Sequence, residues 1–249
     1  MIVVIVLAAN CVQVRSSSHA FESLATGTLI VHGNQFLIKR DYEKALQYYN
    51  AAMAQEPTSW QPYFGRALVF ISQRKWDLAL QDLNSVVRLK PGQLYAALLR
   101  GDVNGYLGNY SRALDEYDRL VRIARPELRL LGLCAWAQNS SAWLRATCPD
   151  ASFRNGRQAV ADATIACRIT RWRSSAYIDT LAAAYAETGD FDSAIRFEQQ
   201  AITGVDKDEL SRSIKDPERK RAATQSIVAS YQRRLAAYQH HHPWRSNLD

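Results

Sequence analysis

The sequence predicts an all-α solenoid, built from helix pairs and closed by a C-terminal capping helix. Three observations carry that expectation. Ala45, Ala79 and Ala113 recur at intervals of 34 residues. Tyr42, Trp76 and Tyr110 precede them by three residues, while Tyr49, Leu83 and Tyr117 follow by four and Ala52, Val86 and Leu120 by seven. Pro57 and Pro91 close the first two units, and Pro126 closes the third one residue late. A fixed period of this length marks stacked copies of one supersecondary unit that cannot bury its apolar face alone.

Each unit is numbered 1 to 34, which gives 26–59, 60–93 and 94–127. Gly33, Ala67 and Gly101 share position 8, where a small residue lets two helices approach. Spacings of three, four and seven set the alanines and aromatics on one face of a second helix. Arg40-Asp41, Arg74-Lys75 and Gly108-Asn109 fall between the two helices as turns. Proline ends each second helix, because it lacks an amide donor and clashes with the preceding turn. Gly101 and Gly105 lie inside a predicted helix and are read as close-packing positions.

The next unit, 128–171, is irregular. Ala113 and Ala159 lie 46 residues apart. The extra length is assigned to an extension over 128–135 and an enlarged turn over 148–156. Tyr185, Phe191, Ala194 and Ala201 restore the pattern in 172–206, with Thr188-Gly189-Asp190 as the turn. Region 207–249 follows. Ile214, Ala222, Ile227, Tyr231, Leu235 and Tyr238 give it helical apolar spacing, and a solenoid needs a polar-faced cap over its last apolar surface. The best candidate boundary within the chain is the region around Leu128.

These motifs resemble the tetratricopeptide repeat (TPR), a right-handed α-α superhelical solenoid of helix pairs. The stretch Trp143-Leu144-Arg145-Ala146-Thr147-Cys148-Pro149-Asp150, with Tyr177-Ile178-Asp179-Thr180-Leu181-Ala182-Ala183-Ala184-Tyr185, resembles a bacterial TPR subfamily carrying a "WLLATCPD" turn and a "YLDTLAAAYAE" helix. The resemblance covers about 26–245. It implies a fold and names no chemistry, because the motif consists of packing residues.

Composition narrows the class. Apolar residues make up 47% of the 249, which excludes wholesale disorder. Net charge is +7, and residues 119–173 hold ten arginines against three acids. A basic block of this kind can meet nucleic acid or an anionic surface, but no nucleic-acid motif accompanies it. Met1 to Ala9 is almost wholly aliphatic and leads into Ser18-His19-Ala20, close to a secretory signal over 1–20. Export to the periplasm or envelope is the expected location, although no Lys or Arg precedes the apolar run. That run is too short to span a bilayer, which needs about 20 apolar residues. Cys134, Cys148 and Cys167 form no disulfide framework. They read as small packing residues, with a Cys148–Cys167 pair across the enlarged turn as the alternative.

No enzyme chemistry is expected. The chain has no phosphate-binding glycine loop and no zinc-ligand spacing. His240, His241 and His242 point in different directions if helical, and His32 sits at a packing position. No catalytic residue, metal or cofactor is assigned.

Binding is expected on the first helices. Positions 2, 5, 9 and 12 point into the groove in this family, which selects Ile30, Asn34 and Leu37, then Phe64 and Leu68, then Tyr95, Leu98 and Asp102. A family clamp for chaperone C-termini would need basic or amide residues at Ile30, Asn34, Gly65, Tyr95 and Leu99. Only Asn34 matches, so that mode is set aside. The expected function is a non-enzymatic protein-interaction scaffold that takes a peptide or helix in this groove. The chain's own terminal segment is the other candidate occupant. A self-associating homo-oligomeric subunit, or an anionic-surface or nucleic-acid binder acting through 119–173, are the alternatives.

Overall fold

The computed structural model describes residues 20–124, 130–208 and 214–246. The candidate export signal over 1–20 and the proline at 126 lie almost wholly or wholly outside them. Eleven α-helices and no strand occur among the described residues. They are α1 (Ala20–Ile38), α2 (Tyr42–Gln55), α3 (Trp60–Ser72), α4 (Trp76–Leu89), α5 (Leu94–Tyr106) and α6 (Tyr110–Ala124). There follow α7 (Leu131–Thr147), α8 (Gly156–Ile169), α9 (Ser175–Thr188), α10 (Phe191–Gly204) and the capping helix α11 (Pro217–Gln239). The fold class is therefore the one the period predicts. No described helix is long and apolar enough to cross a membrane.

The chain divides into two compact units, 1–107 and 108–249. The division falls between α5 and α6, inside the third repeat, and not near Leu128.

In the first unit α1 packs on α2, α2 on α3, α3 on α4 and α4 on α5. The periodic residues make these contacts. Ala45, Tyr49, Ala52, Ala79, Leu83 and Val86 are all 0% exposed. A fully buried leucine or valine contributes about 1.5–3 kcal/mol of transfer free energy, while alanine at a crossing lets the helix backbones close up. Tyr49 explains two glycines. A Cβ at Gly33 would lie 2.5 Å from its ring and one at Gly65 would lie 2.3 Å from it. Gly105 behaves differently from the close-packing role expected of it, since a Cβ there would meet nothing within 4 Å.

The turns repeat as the helices do. Arg40, Arg74, Gly108 and Gly189 occupy position 15 of their repeats, with φ of 60°, 57°, 77° and 85°. Reversal between α1 and α2, between α3 and α4, and between α9 and α10 is made by one left-handed residue. Glycine takes that conformation freely, whereas a residue with a Cβ is strained in it.

In the second unit α6 packs on α7, α7 on α8 and α9, α8 on α9, α9 on α10, and α10 on α11. Ala159, Ala166, Ala194 and Ala201 are 0% exposed and keep the repeat pattern. The enlarged turn is an ordered structure. It contains a 3-10 turn at Ala151–Phe153, and the Asp150 carboxylate accepts the Ser152 N–H at 2.9 Å. The Asn155 side chain accepts the Gln158 N–H at 3.0 Å and caps α8. Cys134, Cys148 and Cys167 are free thiols and buried, so the Cys148–Cys167 pairing alternative is excluded. Burial pushes the Cys167 thiol up to about 12, which leaves no thiolate at neutral pH.

Helix α11 begins with Asp216 accepting the Arg219 N–H at 2.7 Å and Pro217 in its first turn. It buries Tyr231 and Tyr238 and leaves most other positions to solvent, as a cap must.

Candidate functional site

The eight residues assigned to the groove separate by burial. Leu37, Phe64, Leu68 and Leu98 are 6%, 4%, 1% and 0% exposed. Helical spacing gave their direction, but neighbouring helices fill that direction, so they pack the interior and present no side chain to a ligand. Ile30, Asn34 and Asp102 are half-buried, and Tyr95 is exposed. Asn34 is held from below, since its Oδ1 accepts the Tyr49 hydroxyl at 2.7 Å. The ring that excludes a Cβ at Gly33 and Gly65 thus also orients this amide.

Position 13 supplies two residues that the sequence reading omitted. Ile38 is 49% exposed at the end of α1 and Tyr106 is 50% exposed at the end of α5. Tyr106 stacks on Trp76, with ring centroids 4.4 Å apart and 4° between planes. Burial of one ring face and then the nearby Asp102 carboxylate raise the Tyr106 hydroxyl above its ordinary value. The period itself carries this signal, because Ile38, Ser72 and Tyr106 stand 34 residues apart.

A second repeated device was also legible. Arg66 donates to Asp82 through Nε and Nη2, both at 2.8 Å, and through Nη1 to Asn50 at 2.8 Å. One unit later Arg100 donates to Asn84 at 3.4 Å. In the irregular unit Arg145 donates to Asp162 at 2.7 Å and to Asp118 at 2.9 Å and 3.1 Å. Asn50, Asn84 and Asp118 are again 34 residues apart. Arg66 and Arg145 each tie a first helix to the second helices on both sides of it, and Arg100 ties α5 to α4.

These ties bear on the basic block. Arg119 pairs with Glu116, Arg145 with two aspartates, and Arg154 with Glu187 at 3.0 Å and with the Cys148 and Pro149 carbonyls. The arginines at 125 and 129 lie outside the described residues. Three of the ten arginines in the block are therefore paired with carboxylates within the second unit.

The last repeat differs in what occupies its first helix. Counting Ala194 as position 20 puts Asp179 at position 5 and Glu187 at position 13 of α9. Both are engaged by the C-terminal region, Asp179 by Arg234 of α11 at 2.5 Å and Glu187 by Arg245 at 2.7 Å. Glu198 lies beside this pair at 0% exposure, 3.6 Å from the Arg234 Nε. Burial, then the adjacent Asp179 charge, holds Glu198 far above the ordinary carboxylate range, so it is neutral. His241 stacks on Phe191 with ring centroids 5.0 Å apart, and the His32 ring lies tilted by 33° against Tyr48 at 5.3 Å.

Paired helices in a 34-residue register, joined through small residues and a wedged aromatic, define an α-helical repeat protein. Repeats of this kind are tetratricopeptide repeats, and the tetratricopeptide repeat model matches residues 31–93. Sperm-associated antigen 1 of Rattus norvegicus is 30% identical over 95 residues, which is 38% of this chain and 10% of that protein. The tetratricopeptide repeat and J domain-containing co-chaperone DNJ1 of Fusarium oxysporum f. sp. lycopersici is 31% identical over 94 residues, 38% of this chain and 18% of that one. The chain therefore spans only a small part of these relatives' length. Among solved structures, pilF of Pseudomonas aeruginosa superposes with a TM-score of 0.61 at 14% identity, over 88% of this chain and 97% of that one. YrrB, described as a TPR protein with an unusual peptide-binding site, gives 0.55 at 15% identity, over 70% and 84%. MamA gives 0.55 at 15%, over 74% and 93%. Identities this low establish likeness of fold.

Proposed function

We propose that this protein is a non-enzymatic interaction scaffold whose first unit takes an amphipathic helix or extended segment on α1 and α5. The observation that carries the reading is the exposure of Ile38, Tyr95 and Tyr106 on first helices. Ile30, Asn34 and Asp102 lie on the same helices and supply an apolar contact and two polar contacts. Aromatic anchors of this kind lose little rotamer entropy on binding, and buried aromatic anchors supply much of the energy of interfaces. The peptide-binding description of YrrB and the co-chaperone relative agree with this role.

Phe64 and Leu68 are unsuitable for testing it, because polar residues there would unfold the unit. An Ile38→Glu/Tyr95→Glu chain of unchanged helicity is suitable. Panning a displayed peptide library should enrich sequences that bind wild type and fail on this variant. Equal binding to both would remove the first-unit groove from the function. Self-association through the same face would appear as a wild-type dimer, by light scattering, that the variant lacks. Binding through the 119–173 block would instead fall steeply with salt. Export by way of 1–20 belongs to the same proposal, and the mass of the chain purified from its host decides it.

A further inference from the structure

The capping helix does not end the chain's path. His241 adopts a left-handed turn with φ of 57°, and the His242 N–H returns to the Ala237 carbonyl at 2.9 Å. Residues 242–246 carry no regular secondary structure and lie against the C-terminal ends of α7 and α9. The Ser246 N–H donates to the Thr147 carbonyl at 2.9 Å, and the two hydroxyls share a hydrogen bond of 2.7 Å. Arg245 donates to the Ala146 carbonyl at 3.4 Å and pairs with Glu187 at 2.7 Å. Trp244 lies 5.7 Å from the Arg234 guanidinium, which Trp143 of α7 approaches to 5.5 Å.

Each contact has a chemical logic that does not depend on covalent connection. The last carbonyls of α7 lack intrahelical partners and carry the negative end of its dipole, so an amide and a guanidinium suit them. Glu187 selects a cation, and the Arg234 face selects an aromatic ring. The segment itself stays half-exposed, with 34% of the Arg245 side chain open to solvent, unlike the buried Tyr231 and Tyr238.

We infer that the C-terminal ends of α7 and α9 form a binding site for an extended segment bearing an aromatic residue, an arginine and a hydroxyl residue in succession, and that Trp244, Arg245 and Ser246 fill it in cis. A short tether holds them there at an effective concentration on the order of millimolar, so an outside segment gains access only when it outcompetes the tail. The site belongs to the second unit and is independent of the groove on α1 and α5.

The test uses the full chain and a fluorescent synthetic peptide reproducing residues 240–249. Wild type should not bind it, while the Trp244→Ala/Arg245→Ala chain should. A peptide carrying Arg245→Glu should bind that chain at least tenfold more weakly, and adding Glu187→Arg to the chain should restore its binding. Absence of binding to the folded double variant, or equal binding to variant and wild type, overturns the inference. If the double variant loses its helical signal, amide exchange in wild type decides. Exchange of the Ser246 amide ahead of the α9 amides supports a separately detaching segment, and exchange together with them overturns it.

Discussion

Arg66 grips Asp82 with two parallel hydrogen bonds of 2.8 Å, tying the first helix of the second repeat to its own second helix. The third arm of the guanidinium reaches Asn50 in the preceding repeat. Asp82 is 3% exposed, so the guanidinium takes the place of solvent around its carboxylate. The hydrogen bonds with Asp82 also raise the Arg66 guanidinium further above its ordinary value. Arg145 repeats the arrangement with Asp118 and Asp162, although its unit has a different turn.

Removing one partner from such a pair leaves the other charge poorly solvated. Asp82→Ala should therefore destabilise the chain by about 2–3 kcal/mol. Asp82→Ala with Arg66→Met should recover part of that loss, because no charge is then stranded. A thermal double-mutant cycle measures this coupling, and additive effects would show that the pair contributes nothing of its own.

Gly65→Ala should destabilise by about 1–3 kcal/mol through overpacking. The added methyl would stand 2.3 Å from the Tyr49 ring, which is 0% exposed and has no free space to retreat into. Gly105→Ala is the control, since its Cβ would meet nothing. That change should instead stabilise by about 0.5–1 kcal/mol through helix propensity. Denaturant melts of the two variants should move in opposite directions.

Arg40 holds a left-handed conformation at the position where the third and fifth repeats carry Gly108 and Gly189. Arg40→Gly relieves a strain of about 1 kcal/mol, offset in part by the greater flexibility of glycine in the unfolded chain. The expected result is a small rise in Tm. A fall in Tm would mean that the arginine side chain contributes more than its backbone costs.

Glu198 gives the second unit a pH dependence of definite sign. Its folded value lies above the unfolded 4.5, so the folded chain keeps a proton that the unfolded chain releases. Stability linked to the group is fully present below about pH 4.5 and is lost as pH rises beyond it. Glu198→Gln should melt above wild type at about pH 8 and close to it at about pH 4. A Tm difference independent of pH would show that Glu198 is ionised in the fold.

Much of the fold is legible in the sequence because it consists of contacts that recur. Ala45 and Ala79 report one helix crossing made twice in the first unit, Ala113 keeps the same register in the second, and all three are 0% exposed. The arginine ties and position 13 were written in the same period. The groove was legible only in direction. The same helical stripe carries Tyr95, which faces solvent, and Leu98, which does not. Spacing along one helix cannot say what stands opposite it.

The sequence by itself determined the repeat, its turns, the all-α class and the cap, since each follows from local spacing or from its recurrence one period further on. Tertiary structure alone decided that Tyr49 would hold Asn34, that Arg234 would reach Asp179, and that Ser246 would settle on Thr147. The last two pairs join residues far apart in the chain and occur once, so no periodic echo announces them. Such contacts exist only after the repeats have stacked and brought distant helix ends within hydrogen-bonding reach.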